Sequence, residues 1–198
     1  MERVIKCVAV GDAKIGKTDL IQKFSKGRYI PADYESQPVT SFENCNVKGV
    51  TVDGEPYSLR LFDTGSLEDS LPSRLRLYPN TDIFLICFSV IVPTSFESIK
   101  TQWLPEIRQN CPAAKFLIIG LQVDLRHTLK KTLARGENLF ITTEEGNSLA
   151  RELGAIKYVE CSSHARSAMK KVFDEVILGL MKADRNYKGK EKSACMIM

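Results

Sequence analysis

Residues 11–18, GDAKIGKT, constrain the fold of this chain more than any other segment, because a lysine and a threonine directly follow the second of two glycines. Glycines at this spacing let the backbone wrap so that successive N–H groups point at one anion. The lysine adds a cation for phosphate oxygens, and the threonine hydroxyl can bind Mg²⁺. Residues 4–10 read as a buried strand and 17–26 as a helix, which is the context that such a loop requires. We interpret the segment as a phosphate-binding loop rather than a plain glycine turn between strand and helix.

The composition is typical of one globular domain. Of 198 residues, 43% are hydrophobic and 26% are charged, so a proper core is expected. A net charge of +4 is too small to indicate nucleic acid as a partner, and no basic face is interleaved with aromatic residues. The six cysteines lie far apart without a C-x-x-C pair, which favours reduced thiols over a zinc site, with Cys7 and Cys87 in the core.

Strand-like apolar runs alternate with helical patterns along the chain, which predicts an α/β fold. The runs lie at 4–10, 57–62, 83–90, 115–120 and 156–160, and the helical patterns at 17–26, 94–109, 143–153 and 166–183. Two short runs within 45–62 flank Asp53-Gly54, a hairpin signal. One antiparallel edge strand is therefore expected on a mostly parallel sheet with helices on both faces. We expect one domain over 1–183 and, where the apolar periodicity ends, a flexible polar tail over 184–198.

Further polar residues follow the loop in the order that nucleotide binding requires. Asp63 ends a strand, where a carboxylate can hold Mg²⁺ through water, and Thr40 can add a second hydroxyl. Asp124 follows the run 115–120 and can accept two hydrogen bonds from guanine, while backbone N–H groups near 160–163 can reach the purine carbonyl. Each of these residues alone is more often a cap or turn residue, so the prediction depends on their order and spacing.

In several longer segments the sequence resembles the Ras superfamily of small GTPases and, within it, the Rho/Rac family. The segments are IKCVAVGD at 5–12, TDIFLICFS at 81–89, SFE at 95–97, WLPEIR at 103–108, DLR at 124–126 and KYVECS at 157–162. Residues 126–142 match the position and nearly the length of the extra helical insert of Rho proteins. The resemblance covers about residues 3–180 together with the C-terminus.

The resemblance implies a P-loop NTPase fold of the small-GTPase type, with a six-stranded sheet, GTP or GDP as ligand and Mg²⁺ as cofactor. It places two nucleotide-sensing switch loops at 30–43 and 64–79, where effector proteins would bind, and it adds exchange factors and a dissociation inhibitor as partners. The metal ligands would be Thr18, Thr40 and, through water, Asp63. The nucleotide contacts would come from Ala13, Lys14, Ile15, Gly16, Lys17, Thr18, Asp19, Tyr29, Thr40, Ser66, Gln122, Asp124, Leu125, Ser162, Ser163 and His164.

The chain departs from this family where GTP is hydrolysed. The family sequence Asp-Thr-Ala-Gly-Gln is replaced by DTGSL, with Leu67 where a glutamine orients the attacking water. Ser66 and Ala13 each replace a glycine close to the γ-phosphate, so no catalytic residue is intact and weak hydrolysis is expected. Gln122 replaces the lysine of the base-recognition motif, whereas Asp124 keeps the guanine contact. Guanine preference should therefore survive with lower affinity.

The last four residues, CMIM, form a C-a-a-X box in which Cys195 would accept a farnesyl group. We expect reversible association with the cytoplasmic face of a membrane, above all the plasma membrane, together with a cytosolic pool. These features favour an atypical Rho-type small GTPase that remains mostly GTP-loaded and recruits effectors for cytoskeletal or membrane signalling. The alternatives are an ordinary cycling GTPase and a scaffold that does not sense nucleotide.

Overall fold

The fold is taken from a computed structural model, which describes residues 3–26, 44–64, 71–132, 140–162 and 164–194. The strands are β1 Arg3–Val10, β2 Asn44–Val52, β3 Glu55–Asp63, β4 Ile83–Ser89, β5 Lys115–Leu121 and β6 Tyr158–Cys161. The helices are α1 Lys17–Lys26, α2 Leu71–Leu75, α3 Pro93–Ser98, α4 Leu104–Asn110, α5 Val123–Thr132, α6 Thr143–Leu153 and α7 Arg166–Ala194. A π-helical turn, Ile99–Trp103, joins α3 to α4.

These strands form one sheet in the order β2-β3-β1-β4-β5-β6. Only β2 runs antiparallel to its neighbour, and the other pairs are parallel. Between β2 and β3, Asp53 and Gly54 both have positive φ, 50° and 80°, as a tight hairpin turn demands. The predicted α/β sheet, mostly parallel with one antiparallel edge strand, is confirmed. The central strand β4 is buried along its whole length, which is why it reads as a continuous apolar run.

Helices cover both faces of the sheet and create two cores. On one face α1 and α7 pack together, with the rings of Phe24 and Phe173 stacked 3.8 Å apart. On the other face α3, α4 and α6 cover the sheet, and Trp103 is buried there. The parallel strands therefore present their carboxyl ends along one edge, where ligands bind in open α/β sheets.

Helix ends follow local chemistry at α6 but not at α7. Thr142 and Glu145 form a reciprocal capping box, and Gly154 ends α6 with a φ of 73°. Helix α7 continues to Ala194, whereas the sequence predicts a helix to 183 and an irregular tail from 184. The helix boundary differs from the predicted one because lysine, arginine, glutamate and alanine have high intrinsic helix propensity, so a helix can continue where the apolar periodicity of the sequence ends. Within the described residues, none of the helices combines the length and the apolar character needed to cross a membrane.

Helices α2 and α5 are not among the helical patterns predicted along the sequence, although the family resemblance implies a helical insert at 126–142. Helix α2 is a single short turn inside the second predicted switch loop, and α5 occupies the first half of the predicted insert at 126–142. Residues 133–139 lie outside the described residues. The predicted core position of Cys7 and Cys87 is confirmed: both thiols are buried, and burial raises the pKa of each, that of Cys87 to about 12.

Candidate functional site

The loop between β1 and α1 forms a tight cradle around two glycines. Gly11 has a φ of 144°, and a Cβ added to it would lie 2.2 Å from the carbonyl oxygen of Cys87 on β4. Gly16 has a φ of 100°, but the nearest atom to its added Cβ, on Leu121, lies 4.0 Å away. Packing against the sheet therefore requires a glycine at position 11. Backbone conformation requires one at position 16, where the cradle opens.

Lys17 holds its ammonium group inside this cradle. Only 6% of the residue is exposed, and Nζ donates hydrogen bonds to the carbonyl oxygens of Gly11 at 2.7 Å and of Asp12 at 2.6 Å. Burial lowers the pKa of Lys17 from its usual range, although Cys87, Asp63 and Asp12 favour the charged form. A cation fixed in this way across the loop is positioned to bind an anion that enters the cradle.

Two side chains whose oxygen atoms could bind a metal ion lie close to the lysine. Thr18, on the first turn of α1, donates its hydroxyl hydrogen to the Oδ2 atom of Asp63 at the end of β3. The next residue, Thr64, donates to the carbonyl oxygen of Ala9 at 2.7 Å and ties the end of β3 to β1. Hydroxyl and carboxylate oxygens are the ligands that Mg²⁺ prefers. An open glycine cradle, a buried ammonium and this oxygen pair together fit a Mg²⁺-bound phosphate group.

The carboxylate of Asp12 is used to brace the loop. Its Oδ1 atom accepts a hydrogen bond from the indole N–H of Trp103 at 2.7 Å, and its Oδ2 atom accepts one from the hydroxyl of Ser98 at 2.9 Å. Ser98 directly precedes the π-helical turn and Trp103 is its last residue, and the altered pitch of the turn brings both donors to the same side. Sequence reasoning did not assign this role, because the π turn that aligns the two donors has no local sequence signal.

A second cluster follows β5 and β6. Asp124, in the first turn of α5, places Oδ2 3.5 Å from the Nδ1 atom of His164. The backbone N–H of His164 donates to the hydroxyl of Ser162 at 3.2 Å. Gln122 adopts a left-handed backbone with a φ of 62°, and its Oε1 atom accepts a hydrogen bond from Ser89 at 2.5 Å. The structure therefore brings together the two distant segments that the sequence predicts to contact the base.

An ion pair behind this cluster joins the two segments, and sequence reasoning missed it. The guanidinium of Arg126 donates two hydrogen bonds to the carboxylate of Glu160, at 2.9 and 2.7 Å, and also donates to the carbonyl oxygen of Ile141. Thr143 and Tyr158 donate to the same carboxylate. Burial opposes the ionisation of Glu160, but these donors outweigh it and hold its pKa below 4.5. Opposite charges close to both predicted base-binding segments are the signal that could have suggested this pair.

The described residues include most of the predicted site, and they differ in what they offer a ligand. The side chain of Ile15 is buried in the core at 2% exposure, which leaves its backbone to line the cradle. Ala13 and Lys14 are exposed at the mouth of the loop, and Leu125 is exposed beside Asp124. Asp19 pairs with Lys23 on the surface of α1. Six predicted residues lie outside the described residues: Tyr29, Thr40, Ser66, Leu67, Ser163 and Cys195.

A comparison with protein-family models supports what this geometry indicates. The model described as Ras, the Ras family, matches residues 6–182. The match spans the glycine cradle, the Thr18–Asp63 pair and both segments of the second cluster. Members of this family bind GTP and GDP, typically with Mg²⁺. The chain belongs to the Ras family and is a small GTP-binding switch protein of the GTPase class.

Proposed function

We propose that this protein is a Rho-type switch that hydrolyses GTP slowly and therefore remains mostly GTP-loaded at a membrane surface. The observation that carries the proposal is a contrast within one site. Lys17, Thr18, Asp63 and Asp124 retain the chemistry that would hold the nucleotide, whereas position 67, where the family resemblance expects a water-orienting glutamine, carries leucine.

The binding half of the site supports retention of guanine nucleotide, with the lower affinity that Gln122 implies. Lys17 would bind the β- and γ-phosphate oxygens, and backbone N–H groups of the cradle would bind the others. Thr18 and Asp63 would hold Mg²⁺, which neutralises phosphate charge when bound. Asp124 would accept hydrogen bonds from the N1–H and amino group of guanine. A carboxylate in this role rejects adenine, because adenine presents an unpaired acceptor there.

The hydrolytic half lacks the groups that activate water. Leu67 has no hydrogen-bonding group, so it cannot orient a water molecule for attack. Ala13 lies exposed at the mouth of the cradle. By the family resemblance, its methyl group would occupy space beside the terminal phosphate of a bound nucleotide. Ser66 adds a Cβ to a segment that uses glycine in the related proteins and so restricts its backbone. Each of these three replacements should lower the rate of GTP hydrolysis.

Single-turnover phosphate release from GTP-loaded protein tests the proposal. We expect a rate at or below about 10⁻⁴ s⁻¹, the slow intrinsic level of small GTPases, and little response to a Rho-family activating protein. The triple variant Ala13→Gly, Ser66→Gly, Leu67→Gln should hydrolyse GTP faster, with Lys14→Ala as a matched control on the same loop. Fast, activator-sensitive release from the unmodified protein would instead support an ordinary cycling GTPase.

Rho-type identity also implies specific partners. The quoted Rho-like segments and the insert position at 126–142 support effector binding through 30–43 and 64–79, together with exchange factors and a dissociation inhibitor. Binding of a Rho-family effector domain should require GTP rather than GDP. Equal binding of the two loaded forms would support the nucleotide-insensitive scaffold.

Membrane attachment is proposed to depend on Cys195. One prenyl chain contributes about 0.8 kcal/mol per buried CH₂ and binds only reversibly, so nearby lysines should add attraction to anionic lipid. In cell fractionation, Cys195→Ser should release the protein to the cytosol. Replacing Lys188, Lys190 and Lys192 with glutamine should weaken binding only in part. Retention of Cys195→Ser on membranes would show that another group anchors the protein.

A further inference from the structure

A cavity of about 340 Å³ opens on the sheet face beside β1 and β3, outside the nucleotide site. Its basic lining residues are Lys6 and Arg60, which are register partners on the two adjacent strands, and Asn80 and Asp82 also line it. Its apolar floor consists of Val4, Phe62 and Pro79. The volume is at the lower end of the range of about 300–1,000 Å³ that is usual for ligand pockets.

The two cations share one aromatic ring. The ammonium nitrogen of Lys6 lies 5.1 Å from the centre of the Phe62 ring, and the guanidinium carbon of Arg60 lies 5.7 Å from it. Both positions are within the distance at which a ring face attracts a cation. Burial, followed by repulsion from Arg60, lowers the pKa of Lys6, so the two positive charges oppose each other across the cavity.

The nearby acidic residue, Asp82, offsets the positive charge of this pair only in part, because it favours the charged form of Lys6 less than Arg60 opposes it. Asp82 uses Oδ2 to accept the backbone N–H of Lys6 at 2.7 Å, and its own N–H donates to the carbonyl oxygen of Lys6. The Lys6 ammonium instead donates to the carbonyl oxygen of Pro79 at 2.7 Å. Among the residues that the structure describes, no carboxylate forms a salt bridge with Lys6 or Arg60.

We propose that this cavity binds an acidic segment of a partner protein, with one aspartate or glutamate carboxylate between Lys6 and Arg60 and an adjacent apolar side chain on Phe62. An incoming carboxylate would relieve the repulsion between the two cations, and the guanidinium can bind it with two parallel hydrogen bonds. Val4, which is 54% exposed, extends the apolar surface at the edge of the cavity. Arginine and aromatic side chains in a partly desolvated pocket are the usual centres of protein interfaces.

Carboxylate is favoured over phosphate by two observations. Three of the seven lining residues, Val4, Phe62 and Pro79, are apolar, and they offer a surface that suits a peptide side chain better than a strongly hydrated phosphate. Asp82 also lies at the cavity, and its negative charge would repel a phosphate dianion more than a carboxylate monoanion. The inference does not depend on slow hydrolysis, because the cavity is separate from the residues proposed to contact nucleotide.

The test is an NMR titration of ¹⁵N-labelled full-length protein loaded with Mg²⁺ and GDP. The probe is the peptide Ac-Leu-Glu-Phe-NH₂, its matched control is Ac-Leu-Gln-Phe-NH₂, and inorganic phosphate and phosphatidylserine vesicles are separate arms. We expect saturable shifts at the amides of Lys6, Arg60, Phe62 and Asp82, with binding about fivefold weaker for the glutamine peptide. That factor corresponds to about 1 kcal/mol, the upper value for one exposed ion pair.

Two variants make the result specific. Arg60→Gln should weaken binding of the glutamate peptide about fivefold, because it removes the cation that would bind the carboxylate. Arg60 is exposed, so we expect this variant to keep the fold. Arg151→Gln, which removes an exposed cation from α6, should leave binding unchanged. Equal binding of both peptides, no shift at about 10 mM peptide, or insensitivity to Arg60→Gln would overturn the proposal. Tighter, Arg60-dependent binding of phosphate or vesicles would also overturn it and identify a phosphate site.

Discussion

The phosphate cradle at 11–18 and the base-binding segments after β5 and β6 lie at the same edge of the sheet, yet they are stabilised differently. In the cradle, backbone geometry and burial dominate: Gly11 has no room for a side chain, and Lys17 is almost fully covered. In the base-binding segments, the predicted contacts come from partly exposed side chains, and the Asp124 side chain is 38% exposed. Substitutions in the cradle should therefore cause large losses of nucleotide affinity or stability, whereas substitutions in the base-binding segments should cause smaller losses that vary with position.

The largest effect is expected in the cradle, at Lys17. Lys17→Ala removes the buried cation that binds phosphate oxygens and should weaken GDP binding by about a thousandfold, or about 4 kcal/mol. Isothermal titration calorimetry in the presence of Mg²⁺ measures this loss. Lys14→Ala is the control, because it removes an exposed cation from the same loop but keeps the backbone N–H through which position 14 would contact nucleotide, so affinity should change little. Similar losses in both variants would show that general positive charge, rather than the buried position, binds the phosphates.

Gly11 tests whether the cradle depends on steric fit. A Cβ at this position would lie 2.2 Å from the carbonyl oxygen of Cys87, so Gly11→Ala should lower the free energy of unfolding by about 3 kcal/mol. Gly154→Ala is the matched control, because its φ of 73° is also positive but no atom lies within 4 Å of an added Cβ. That control should cost only about 1 kcal/mol, the price of the left-handed backbone alone. Urea unfolding separates the two costs, and equal losses would contradict the steric explanation.

Within the base-binding segments, we expect substitution of Asp124 to cause the largest loss of GDP affinity. Asp124→Asn offers guanine one acceptor and one donor in place of two acceptors, and GDP affinity should fall about a hundredfold. ATP affinity should change little, so that discrimination between guanine and adenine narrows. Competition binding with fluorescent GDP provides the measurement. Asp53→Asn, in the distant β2–β3 turn, is the control, and an unchanged GDP affinity in Asp124→Asn would remove the guanine assignment.

The contribution of Glu160 to the free energy of unfolding should depend on pH. Its pKa is lower in the folded protein than its ordinary value of 4.5, so ionised Glu160 stabilises the fold above that pH. This contribution is lost as the pH falls through the lower, folded pKa. Glu160→Gln should cost about 1–2 kcal/mol at about pH 7 and less in acid, as measured by urea unfolding. Glu152→Gln breaks the exposed pair with Lys100 and should cost under about 0.5 kcal/mol. A pH-independent loss in Glu160→Gln would argue against the ion pair.

The smallest effect is expected at Gln122. Gln122→Lys restores the residue type that the family resemblance implies, and its longer stem can pack along a purine. It also loses the hydrogen bond from Ser89, so GDP affinity should rise only about threefold, less than 1 kcal/mol. Ser89→Ala isolates the cost of that hydrogen bond. A tenfold or larger gain in Gln122→Lys would show that Ser89 does not restrain this position.

Features that depend only on neighbouring residues could be predicted from the sequence. The apolar run of β4, the Asp53-Gly54 turn and the capping box at Thr142 are local, because strand burial, turn conformation and helix capping act over a few residues. The phosphate-loop assignment could be made for the same reason, since its chemistry is contained in eight consecutive residues. Local periodicity also explains why the end of α7 differs from the predicted boundary, because a helical segment without apolar periodicity gives no such signal.

Contacts between residues that are distant in the sequence depend on how the whole chain packs. The hydrogen bonds from Ser98 and Trp103 to Asp12 join residues more than 80 positions apart, and a π-helical turn brings the two donors into place. The pairing of Arg126 with Glu160, and the cavity between Lys6 and Arg60, likewise arise where separate strands and loops pack together. Side-chain contacts of this kind depend on strand order and register, which the whole core determines, and no single segment of the sequence encodes them.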